Sequence, residues 1–215
     1  MPGTYKSLIP VMVIAIMASC NDESIPTTES YFPLGPDQTW TYQRLWQTLI
    51  DDEVVPQVWD TVSFHVNGDT VVDGQSYKVI ARNTGEIEKL VRQDGSQYFG
   101  RHHEFYGTFT KEYLFLDTSL PVGASWAHIK DDGYITKTEY IIKAKDNYRR
   151  VQNKTYANVI EVEVNYYYEE LGEEMLWVTA RHYYSKNTGE IYNYYPYPIS
   201  MVYSDVESIL ISTDK

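Results

Sequence analysis

Few side chains in this 215-residue chain stand where metal or acid–base chemistry would need them. His102-His103-Glu104 is the densest group of ligand-type residues. Adjacent side chains on a strand point to opposite faces, so the two imidazoles cannot readily share one ion. His65, His128 and His182 are isolated in sequence. Asp51-Asp52-Glu53, Asp131-Asp132 and Glu173-Glu174 lie near turns, but none has the regular oxygen spacing of a calcium loop. There is no G-x-S-x-G elbow, no HExxH, no CxxC and no glycine-rich phosphate loop. A pair of carboxylates for glycoside hydrolysis can be distant in sequence, and 30 acids are present, so their number decides nothing. The expectation is a non-catalytic protein with no metal and no cofactor.

Cys20 is the single cysteine, so no disulfide can form within the chain. It follows a start whose only charge is Lys6, then an apolar run from Leu8 to Met17 broken by Pro10. Such a run is too short for a spanning helix, which needs about 20 residues. A weakly basic start, a short apolar run and small residues before a break describe a secretory signal peptide over residues 1–19. Residues 20–30 are polar, contain Pro26 and read as a tether.

Aromatic residues supply the remaining chemistry. Tyrosine occurs 21 times against six phenylalanines. Tyrosine favours strands and surfaces that are half apolar and half wet. Tyr166-Tyr167-Tyr168, Tyr183-Tyr184 and the run Tyr192–Tyr197 place rings on both faces of neighbouring strands. Tyr166, Tyr168, Tyr184, Tyr194, Tyr195 and Tyr197 are the candidate ligand-binding residues. They would act as cavity wall or as a stacking platform for sugars. Tyr195-Pro196-Tyr197-Pro198 reads as a rigid turn that could form a rim. Trp40 and Tyr42, at i and i+2, and Trp126 are candidate core anchors.

The elements that must position these residues are strands. Val159–Tyr168 alternates Ile160, Val162, Val164, Tyr166 and Tyr168 against Glu161, Glu163, Asn165 and Tyr167. Turn signals stand at Asn67-Gly68-Asp69, Asp94-Gly95, Asp132-Gly133, Asn153-Lys154 and Asn187-Thr188-Gly189. Strands are predicted over 39–49, 58–67, 75–83, 86–93, 96–101, 111–117, 134–146, 155–169, 174–185, 189–195 and 200–211. The predicted class is all-β with little helix over residues 31–215. A single curved antiparallel sheet or half-barrel is preferred, and a β-sandwich is the alternative. A faint repeat relates 31–110 to 120–211. Gly35…Trp40 answers Gly123…Trp126, and the hairpin 61–80 answers 139–160.

Net charge bounds the partners. The chain carries −12, and −13 once residues 1–19 with their one lysine are removed. Nucleic acid and anionic surfaces are repelled by such a protein.

Met17-Ala18-Ser19-Cys20 resembles the bacterial lipobox, which implies acylation of Cys20. Asn21-Asp22-Glu23 is similar to the acidic export signal of surface lipoproteins in the Bacteroidetes. The opening Phe32-Pro33-Leu34 with Trp40-Thr41-Tyr42 resembles that of uncharacterised Bacteroidetes-type lipoproteins. Val122-Gly123-Ala124-Ser125-Trp126, Tyr156-Ala157-Asn158-Val159-Ile160 and Tyr183-Tyr184 through Gly189-Glu190-Ile191 extend the likeness. Lys154-Thr155 stands where that pattern has a glycine before the aromatic. By fold, the β-rich members resemble LolA-like half-barrel carriers, an analogy that does not fix function. Taken together, the expectation is an outer-membrane lipoprotein, held by its lipid, that binds a hydrophobic or amphipathic ligand in a curved sheet. The alternative is a surface module that binds glycan or protein through exposed tyrosines. A cell-surface hydrolase ranks behind both.

Overall fold

The computed structural model describes residues 29–50, 53–102, 109–130, 134–197 and 204–214. The signal peptide, Cys20, Asp51-Asp52, His103-Glu104, Asp131-Asp132-Gly133 and Pro198 lie outside the described residues, as does the side chain of Tyr197.

Twelve strands build one antiparallel sheet. The first half contains β1 (Thr39–Ile50), β2 (Glu53–Val72), β3 (Gln75–Arg82), β4 (Ile87–Asp94), β5 (Gln97–His102) and β6 (Tyr113–Asp117). The second contains β7 (Ser125–Ile129), β8 (Ile135–Val151), β9 (Lys154–Glu170), β10 (Glu173–Ser185), β11 (Gly189–Tyr197) and β12 (Ser204–Asp214). Among the described residues there is no helix. Each half is a meander of neighbours, and the halves join through β1 and β12, which pair from Thr39↔Asp214 to Trp46↔Val206.

The sheet's two outer strands, β6 and β7, are consecutive in sequence. They meet again in space. The Trp126 indole N–H donates to the Leu114 carbonyl at 2.8 Å, and the Tyr113 and His128 rings lie 6.0 Å apart. The sheet is therefore rolled almost into a barrel, the curved single-sheet form rather than the sandwich. Register shifts on most strand pairs bend the ladder and supply the curvature.

One end of the roll is strapped by the segment before β1. Ser30 Oγ is 3.1 Å from the Tyr98 hydroxyl on β5, and the Asn187 N–H, in the β10–β11 turn, donates to the Ser30 carbonyl at 2.6 Å. Those partners sit in opposite halves of the sheet. Phe32 is thereby pushed inside, with ring centroids 5.2 Å from Trp40 and 5.9 Å from Phe115. A second, outer cluster of Tyr77, Val79 and Leu90 packs against Phe109. Beside it, Glu112 accepts from both Arg92 and the Tyr77 hydroxyl.

Three local expectations need correction. Asn67-Gly68-Asp69 is a bulge, not a hairpin turn. The register passes from Val66↔Ile80 to Asp69↔Lys78, so β2 continues to Val72 and the turn falls at Asp73-Gly74. Ser125–Ile129 is a strand absent from the predicted set; five residues at a sheet edge give too short an alternation to register. Tyr195–Tyr197 is not a turn either. It continues the ladder, from Tyr195↔Val206 to Tyr197↔Ser204.

Candidate functional site

Strand parity decides which side chains enter the roll. On β1, Trp40, Tyr42 and Arg44 point inward. Across the ladder their row continues through Phe64 and Val62 on β2 and Ser208 on β12. On β4 and β5, Lys89 and His102 form an inward cross-strand pair. On β10 and β11, His182 and Asn193 form another. Glu190 joins them because the register skips Ile191, passing from Tyr183↔Tyr192 to Tyr184↔Glu190. Without that bulge Glu190 would lie on the outer face.

These residues surround a cavity of about 260 Å³. Its apolar part is Phe32, Trp40, Tyr42, Val62, Phe64 and Ile80; its polar part is Arg44, Glu88, Lys89, His102, His182, Glu190, Asn193 and Ser208. The ionisable groups are mostly paired. Arg44 Nε donates to Asp60 at 2.6 Å, Arg82 Nε to Glu88 at 2.7 Å, and His182 Nδ1 lies 2.6 Å from Glu190 Oε1. Burial pushes the Glu190 carboxyl up, but His182 and Lys89 outweigh it and hold the group below its usual range. His102 Nε2 is 2.6 Å from the Tyr113 hydroxyl. The imidazole still meets solvent, yet the protein packed around it, then Lys89 and Lys130, push it down to about 4. It is therefore neutral at pH 7. The interior also holds Tyr140, Tyr166 and Tyr184, whose phenols are raised first by burial and then by neighbouring phenols and, for Tyr166 and Tyr184, Glu190.

The candidate tyrosines separate. Tyr166, Tyr184 and Tyr195 belong to the interior; Tyr166 and Tyr195 meet edge to face at 5.4 Å. Tyr194 pairs with Arg181 on the outer side of β11. Tyr168 stands at the far end of β9, stacked on Tyr134 at 5.0 Å, with Trp177 edge-on to Tyr134 at 5.7 Å. For Tyr197 only the backbone position is described. Of the candidate anchors, Trp40 and Tyr42 are buried, while Trp126 is half-buried and stacked on Tyr140 at 5.4 Å. None of the five tyrosines whose side chains are described lines the cavity itself.

What sequence reasoning missed are the charged and histidine side chains of that cavity. His182, isolated in sequence, has a partner eight residues on. The signal was available: the turn at Asn187-Thr188-Gly189 folds β11 back on β10, which places Glu190 diagonal to His182. Lys89 and His102 needed the closed sheet to meet the others. Among the described residues, no three His, Cys, Asp or Glu side chains gather as metal ligands.

No family model and no curated protein matches the sequence. Two solved structures are similar to the chain. One is a candidate exported protein with a YmcC-like fold from Bacteroides fragilis NCTC 9343. It is 9% identical over 86% of this chain and 98% of that one, with a TM-score of 0.47. The other is a candidate lipoprotein from Parabacteroides distasonis ATCC 8503. It is 10% identical over 86% of this chain and 99% of that one, with a TM-score of 0.40. Likeness at that level adds nothing to the reading of the site.

Proposed function

We propose that the protein is a lipid-anchored lipoprotein of the outer membrane that binds a small amphipathic molecule inside its rolled sheet and leaves it chemically unchanged. The anchor rests on the lipobox-like run ending at Cys20. The binding rests on one observation: a cavity of about 260 Å³ survives in the roll, lined by both aromatic rings and polar groups. Drug-sized pockets span about 300–1,000 Å³, and an engineered cavity of about 150 Å³ holds benzene. The size therefore favours one ring or a short chain with a polar end over a whole lipid.

Catalysis is the weaker reading for a geometric reason. Ser208, Asn193 and His182 lie in one row across β12, β11 and β10. Two strand spacings of about 4.7–4.9 Å separate the serine from the imidazole. A nucleophile and its base need about 2.6–3.2 Å.

Native mass spectrometry of the protein, equilibrated with a cell-envelope extract, tests the proposal. The expected spectrum shows a small-molecule adduct that disappears on denaturation and in Ser208→Phe, which fills the cavity. An adduct that survives Ser208→Phe, or none at all, would overturn it.

The exposed group at Tyr134, Tyr168 and Trp177 supports the second reading, a surface module for glycan or protein. Tyr134 is 62% exposed and offers a ring face of the kind sugars stack on. Glycan-array binding that is lost in Tyr134→Ala would favour it.

A further inference from the structure

Resting on the interior-binding reading, we propose that the ligand is a small monocarboxylate whose acid group is held by Lys89. Most of the charges around the cavity already have partners. Arg44 is committed to Asp60, Glu88 to Arg82, and Glu190 to His182. Lys89 is the exception. Its Nζ has no carboxylate within ion-pairing distance among the described residues, and stands 4.9 Å from the Phe32 ring and 5.6 Å from that of Phe115. Aromatic faces attract an ammonium but do not neutralise it. The field of Lys89 reaches Glu190, but with no direct salt bridge its ammonium can donate hydrogen bonds to an incoming anion.

The surroundings narrow the anion. One ammonium without a direct ion pair offers its N–H donors to one carboxylate. Glu88 and Glu190 also line the cavity and would repel a phosphate dianion. His102 is neutral and adds no second cation. Hydrogen-bonding capacity comes from Asn193 and Ser208. The body of the ligand is set by Phe32, Trp40, Tyr42 and Phe64, whose rings line the cavity and suit an aromatic or short alkyl group. An arylalkanoate satisfies both ends within about 260 Å³.

Calorimetric titration with 3-phenylpropanoate and its neutral isostere 3-phenylpropanamide tests the assignment. Wild type should bind the acid about tenfold more tightly than the amide. Lys89→Met should bind acid and amide alike, and a circular dichroism spectrum matching wild type shows that the variant is folded. Lys89→Arg should restore the preference. If an adduct is seen by native mass spectrometry but acid and amide bind equally or not at all, the carboxylate assignment falls and the interior-binding reading stands. The assignment falls in the same way if Lys89→Met keeps the preference. If there is no adduct and neither probe binds, both fall.

Discussion

Two aromatic residues of β1 hold the turn that delivers Glu190. The Trp40 indole N–H donates to the Thr188 carbonyl at 2.8 Å, and the Tyr42 hydroxyl to the Glu190 carbonyl, also at 2.8 Å. Gly189 lies between these carbonyls at φ 102°, and a Cβ there would come within 2.8 Å of Trp40 Nε1. Gly189→Ala therefore combines a left-handed backbone with a clash against a fully buried ring. The expected cost is about 2–4 kcal/mol, read as a lower urea midpoint. Gly68→Ala is the matched control. Its φ is also positive, at 82°, but nothing lies within 4 Å, so only the backbone part of the cost applies. Equal losses in the two variants would show that Trp40 does not constrain the turn. The pairing of Trp40 with Tyr42 on one face was legible from their i, i+2 spacing. Their partners were not, because they lie 148 residues away.

At the scale of elements, alternation made most strands legible, since one face of nearly every strand is buried in the roll. The errors fall where pattern and pairing part company. Asn67-Gly68 has the chemistry of a hairpin turn, yet two residues of β2 bulge there and the ladder resumes. The five residues of β7 alternate only weakly in burial because they form an edge. That edge and its counterpart β6 would be open templates for pairing with another chain. Side chains cover the gap between them. Trp126 donates across it to Leu114, and Lys145 Nζ donates to the Thr118 and Leu120 carbonyls of the link at 2.8 and 3.1 Å. Trp126→Phe keeps the ring on Tyr140 but removes the donor. Amide hydrogen exchange should then quicken about fivefold in Tyr113–Asp117 and Ser125–Ile129, matching one lost hydrogen bond of about 1 kcal/mol. The β8–β9 ladder should keep its protection. Unchanged exchange in β6 and β7 would mean that the seam is held by something other than this bond.

The cavity exists only at the scale of the whole molecule. Its lining comes from eight strands, from Trp40 to Ser208, so no local window of sequence could display it. The same dispersal governs stability against acid. Besides Glu190, three carboxyls lie below their usual range at separate places. The hydrogen bond from Arg44 lowers Asp60, and that from Arg92 lowers Glu112. For Asp117 burial pulls upward, but donors from Ser119, Gln97 and Ser96 prevail and the net shift is down. A carboxyl depressed in the fold contributes stability that is fully present above its unfolded value, 3.8 for Asp and 4.5 for Glu, and is lost as pH falls through the folded value. Acidification also relieves the self-repulsion of a chain at −12, which acts in the opposite sense. That relief is small at moderate salt, where charges more than about 8–10 Å apart are screened. The half-buried pairs are screened far less, so their loss decides the outcome. The urea midpoint should drift down below about pH 6.5, because His102, held near 4 in the fold, takes up its proton more readily when unfolded, and it should fall steeply below pH 4 as the carboxyls follow. Glu112→Gln should lower it at pH 7 and flatten the fall, because its share of the proton uptake is gone. A midpoint as high at pH 3 as at pH 6, or a Glu112→Gln curve parallel to wild type, would show that these pairs do not hold the roll together.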